Sequence, residues 1–175
     1  MNPRLFPILL LLAGGTAFAK DAPKCPPAEV TLGTTGEIVE AIRAYKAADG
    51  TSKIETIQLD GKTNAYYGGK AVLTQFDLGN PTKVMLVYGH PGIEIPPHAS
   101  PYHEVFIILA GSSVMELADG TRRDLKPGTM FFSDDAGSTS VRGGSAGPCG
   151  YVALDLQFTA PPMPVSHAAV PAATK

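Results

Sequence analysis

Two side chains able to do chemistry stand close together in the segment GIEIPPHASPYHEVFIILAG, residues 92–111: the imidazole of His98 and the carboxyl group of Glu104. Brought onto one surface, such a pair can move a proton, hold a polar ligand or contribute to a divalent metal site. The plainer alternative is that the two satisfy each other inside a filled interior. Alternate side chains of a strand face the same side, so His98 shares a face with residue 100, and Glu104 shares one with Phe106 and Ile108. On that parity Phe106 and Ile108 form either an apolar pocket floor or simply core. Tyr88 and His90 have matching parity on an earlier strand. His103 is next to Glu104 and would reach the same interior only at a bulge. Burial raises the pKa of a glutamate and a neighbouring protonated histidine lowers it, so the pair is suited to general acid–base work.

These residues need strands to position them, and the chain supplies strand patterns from about residue 53 to 159. Short runs, several alternating in polarity, occupy 54–59, 71–78, 83–90, 93–98, 104–109, 113–117, 121–125, 129–133, 138–142 and 151–158. Turn residues separate them at Asp60-Gly61, Gly79-Asn80-Pro81, Pro91-Gly92, Asp119-Gly120 and Pro127-Gly128. Sixteen Pro and 19 Gly in 175 residues suit such a turn-rich fold. One helix is predicted ahead of the strands. Thr34 and Glu37 have the spacing of a capping box, Ile38, Ala41, Ile42 and Tyr45 recur at helical spacing, and Gly50 ends the run. The fold expected is all-β: a small antiparallel β-barrel with one N-terminal helix packed outside the sheet.

The 92–111 segment resembles the first conserved box of the cupin family, G-x5-H-x-H-x3-E-x6-G, with Gly92, His98, Glu104 and Gly111 at the family spacings. Asp119-Gly120 and 125–128, ending in Pro127-Gly128, look like the hairpin and turn of the second box. The resemblance covers roughly residues 55–158 and implies a jelly-roll barrel of the cupin type. It also implies a metal site of three His and one Glu, which this chain only half keeps. Ser100 stands where the second His belongs, Ser138-Thr139-Ser140 occupies the place of the last one, and no His lies between His103 and His167. Two ligands rarely hold a transition metal tightly, and Ser and Thr hydroxyls are weak ligands. The metal set left is His98 and Glu104, with His103 as a third candidate. Ser100 and Thr139 are then hydrogen-bond donors to a ligand, or ordinary strand hydroxyls.

Residues 1–19 have the form of a signal peptide. Arg4 supplies the positive start, 5–13 the apolar stretch and Ala17-Phe18-Ala19 the cleavage site. The apolar stretch is too short to span a membrane. The expected division is a signal peptide (1–19), an arm and helix (20–52), a barrel (53–159) and a disordered Pro/Ala-rich tail (160–175). Export to the periplasm or exterior makes the two cysteines, Cys25 and Cys149, an expected disulfide. A formal net charge of −2 gives no basic field for nucleic acid. Asp134-Asp135 before Gly137 reads as a turn with exposed acids, and Arg122-Arg123 beside Asp124 as a solvated hairpin face.

The function expected is binding of a small polar molecule by His98, Ser100, Glu104, Phe106 and Thr139, with no cofactor. The alternatives are a metal-dependent cupin enzyme (a dioxygenase, isomerase or lyase) and a structural cupin with a filled barrel. A homodimer is compatible with each.

Overall fold

The computed structural model describes Cys25 and residues 40–59, 61–138 and 142–162. Ten strands account for most of these: β1 (Glu40–Lys46), β2 (Ser52–Thr56), β3 (Lys62–Tyr66), β4 (Ala71–Gln75), β5 (Lys83–Gly89), β6 (Glu94–His98), β7 (His103–Leu117), β8 (Arg122–Leu125), β9 (Thr129–Asp134) and β10 (Arg142–Phe158). The main sheet runs β2-β1-β9-β7-β10-β5, with β6 added to β10 and β8 to β7. Strands β3 and β4 form a separate two-stranded ribbon. The nearly all-β architecture matches the sequence expectation. Two of its details do not. β1 pairs with β9 in parallel, so the sheet is mixed, and β2 and β5 end the pairing path among the described residues rather than closing it into a ring.

The larger correction is the predicted helix. From Glu40 to Lys46 the chain is strand, paired with β2 on one side and β9 on the other. The Thr34–Glu37 cap lies outside the described residues. The error has a physical cause. Ala41 and Ile42 are both buried, but in opposite faces of the sheet. Ile42 and Ala44 join the core of Ile108, Phe131, Tyr151 and Ala153, whereas Ala41 joins that of Val105, Met130 and Phe132. A strand covered on both faces has no clean alternation, and its adjacent apolar residues imitate a helical stripe. Pairing on both edges then overrides the helix preference of Ala, Arg and Lys.

Other strands are longer or more numerous than expected. Runs 104–109 and 113–117 are one strand, β7, and run 151–158 is the second half of a longer strand, β10, that begins at Arg142. Their union is made at Gly111 and Gly150, which face one another at a register shift and both hold φ +72°. A Cβ on Gly111 would collide with the Gly150 carbonyl, so the two long strands bend together only because neither residue carries a side chain. β3 escaped notice because Lys62, Thr63 and Asn64 are polar and exposed.

The expected disulfide is present: Cys25 and Cys149 are bonded, with Cα atoms 5.3 Å apart. The bridge ties Cys25 to β10 two residues before Tyr151. The predicted signal peptide and cleavage site, Thr139 and most of the predicted tail lie outside the described residues.

Candidate functional site

β7 presents Glu104 and Phe106 on one face, and its neighbours complete two cross-strand rows. Glu104 lies opposite Ser133 of β9 and Gln157 of β10. Phe106 lies opposite Phe131 of β9 and Asp155 of β10. Residues directly opposite in an antiparallel pair share a face. Tyr151 and Ala153 precede Asp155 on that face of β10, and β6 brings His98 to the rim. The result is a cavity of about 200 Å³ lined by His98, Glu104, Phe106, Phe131, Tyr151 and Met115, among others. An open groove of about 840 Å³ adjoins it across Ile95 and Gly143 and is edged by Glu94, Glu116 and Arg122. The groove is larger, but its Arg122–Glu116 pair is exposed at 3.5 Å and it holds no imidazole or aromatic ring among the described residues. The imidazole, the carboxylate and the aromatic rings meet in the smaller cavity.

The apolar wall is rigid. The rings of Phe106 and Tyr151 pack edge to face, with centroids 5.8 Å apart at 71°. Tyr151 lies over the backbone of β5 at Gly89, where a Cβ would overlap three of its ring atoms. Gly89→Ala is therefore expected to displace the ring and cost about 1–3 kcal/mol. Urea denaturation checks the stability loss. Because the chain has no Trp, near-UV dichroism reports the moved tyrosine. Unchanged stability and spectrum would refute the placement of this ring.

Polar groups are distributed unevenly around the cavity. His98 is exposed, and its Nδ1 sits 3.0 Å from the Pro96 carbonyl, which only accepts, so Nδ1 donates there and leaves Nε2 toward solvent-accessible space as the acceptor of the neutral ring. Burial, then the charges of Asp155 and Glu104, push the Tyr151 phenol above its ordinary pKa, so it stays a neutral donor. Ser100, the candidate donor, is buried away from the cavity. Its Oγ donates to the Tyr102 carbonyl at 2.8 Å and lies 3.0 Å from Ser133 Oγ. Ser133 donates to Asp135, which also accepts from Ser52, and Ser52 Oγ lies 2.8 Å from Ser138 Oγ. A covered chain of hydroxyls thus anchors the 99–102 connection that carries His98 toward Glu104.

His103 occupies the opposite face, as parity required. Its Nδ1 is 3.7 Å from Asp134 Oδ1 and it does not line the cavity. The expected turn of exposed acids is corrected here: Asp134 and Asp135 are both buried. Arg43 Nε donates to Asp134 at 2.6 Å and its Nη1 reaches Glu55 at 3.3 Å. Burial pushes the Asp134 carboxyl above the usual range, against the pull of Arg43 and His103. The strand partners β1 and β2 that supply this cation and these hydroxyls were hidden by the helix reading. Tyr88 and His90 pair edge to face at 4.9 Å but are exposed, outside the cavity.

Among the described residues no group of three or more His, Cys, Asp or Glu side chains comes together to hold a metal. The cupin metal site implied by the sequence therefore finds two of its donors here, His98 and Glu104, with its second His replaced by a Ser already engaged. That donor set does not fit a tightly bound transition metal.

No family model matches the chain, and no curated protein matches it. Solved structures similar to it include the DMSP lyase DddQ from Ruegeria pomeroyi DSS-3, at 23% identity and a TM-score of 0.38 over 57% of this chain and 46% of that one. A structure of the DMSP lyases RdDddP and RnDddQII is similar at 16% identity and a TM-score of 0.37, over 57% of this chain and 56% of that one. The chain thus spans about half the length of each.

Proposed function

We propose that this protein is an exported cupin-type β protein that binds a small polar molecule in the cavity between β6, β7, β9 and β10, without a tightly held metal. The observation that carries this reading is the convergence of His98 and Glu104 on a cavity otherwise walled by Phe106, Phe131, Tyr151 and Met115. Apolar walls with a few polar groups are the usual make-up of a small-molecule site. At about 200 Å³ the space lies below the roughly 300–1,000 Å³ of drug-sized sites, which favours a ligand of few heavy atoms. Export is supported by the disulfide, which belongs to oxidising compartments. No helix among the described residues is long and apolar enough to cross a membrane.

Ligand-detected NMR against a panel of small amines, carboxylic acids and zwitterions tests the reading. At least one class is expected to bind, and His98→Ala and Phe106→Ala are each expected to weaken it about tenfold, the equivalent of ~1.4 kcal/mol. Binding that survives both substitutions moves the site elsewhere. A second reading, acid–base or metal-assisted catalysis, draws on the same His98 and Glu104. Near-stoichiometric metal retained after refolding with metal and washing, and lost in His98→Ala and Glu104→Ala, would favour it over the metal-free one.

A further inference from the structure

We infer that the cavity selects a small organic cation whose charge is dressed in compact apolar groups, of the methylated ammonium kind; this rests on the binding reading above and names its ligand class. Three aromatic rings, Phe106, Phe131 and Tyr151, line the space, and two of them are locked edge to face. Ring faces carry partial negative charge and attract a cation that brushes against them, while the methyl groups of such a cation satisfy the apolar walls.

The polar groups point the same way. Glu104 is in the wall, and Asp155, 5% exposed, lies beside Phe106 in the cross-strand row. No lysine or arginine is among the described residues that line the cavity. Arg43, the part-buried guanidinium of this end of the sheet, is spent on Asp134 and Glu55, and Asp134 is on the opposite face from Ser133 and Glu104. His98 stands at the exposed rim. Burial raises the pKa of Tyr151 most, and the charges of Asp155 and Glu104 add to it, so both carboxylates lie near this ring. An anion would meet the Glu104 carboxylate in the wall, with Asp155 opposite Phe106 on the neighbouring strand, and rejection by like charge gives specificity as surely as attraction does. A strongly hydrated ammonium would lose its water in so apolar a space, whereas a methylated one has little water to lose.

Calorimetric titration with three probes of nearly one shape tests this: choline, its uncharged carbon isostere tert-butylethanol, and the anion tert-butylacetate. Choline is expected to bind about tenfold more tightly than the alcohol, and the anion least of all. Glu104→Gln is expected to shrink that preference several-fold, and Phe106→Leu to shrink it while leaving apolar volume in place. Equal affinity for choline and the alcohol overturns the cation class and leaves the binding site standing. Tightest binding of tert-butylacetate overturns the class outright. Binding of none of the three also overturns it, and the amine, acid and zwitterion panel then decides the parent reading separately.

Discussion

Reduction of the Cys25–Cys149 bridge is expected to lower the stability of the folded chain by about 3–5 kcal/mol and its Tm by on the order of 10 °C. The size comes from the loop. The two cysteines are 124 residues apart, and a cross-link closing so long a loop removes much of the freedom of the unfolded chain. The bridge also joins the chain ahead of β1 to β10 immediately before Gly150 and Tyr151. Its loss should therefore loosen the wall of the cavity as well as the fold. Scanning calorimetry with and without reductant gives the number, and Cys25→Ser with Cys149→Ser should reproduce it with no reductant present. Equal Tm values in all three samples would show that the bridge contributes nothing.

Arg43→Met is expected to cost about 3–5 kcal/mol at neutral pH, because it strands a covered carboxylate without its cation. The Asp134 side chain is 0% exposed and receives the Arg43 Nε at 2.6 Å. The pH dependence identifies the mechanism. Burial raises the Asp134 pKa above its ordinary 3.8 in the folded protein. From that value up to the raised one, the folded state holds more proton than the unfolded state. Asp134 therefore makes stability fall as pH rises through the window. Without Arg43 the main opposing pull is gone, the folded pKa climbs further and the window widens upward. The deficit of Arg43→Met against the wild type should thus shrink as pH is lowered, since a protonated Asp134 has no charge to strand. Urea midpoints at acid and neutral pH measure it. The same deficit at both would assign the loss to packing, including the contact of Arg43 with the Tyr45 ring at 5.7 Å.

The strands that build the site were legible because their signals are local. Glu104, Phe106 and Ile108 alternate, Pro and Gly mark the turns, and parity alone separated His103 from Glu104. The pairing of Cys25 with Cys149 followed from there being only two cysteines. What could not be read depends on contacts distant in sequence. Ile42 beside Ala41 looks helical until β2 and β9 are known to flank it. Asp134 and Asp135 look like a wet turn until Arg43, Ser52 and Ser133 arrive. Tyr151 entered no motif, and its role depends on the empty space above Gly89. Ser100 was singled out for its spacing, yet its partners, Tyr102 and Ser133, draw it into structural support.

The parallel pairing of β1 with β9 imposes an order of assembly. Arg43 and Asp134, which join these strands, are 91 residues apart, so β1 is made long before its partner exists. A chain synthesised from its N-terminus must keep Ala41, Ile42 and Ala44 waiting until β7 and β9 have formed the ledge on which they lie. Pairings this distant in sequence place folding in the slow, millisecond-to-second class. Until β1 and β2 dock, Asp134 lacks Arg43 and Asp135 lacks Ser52.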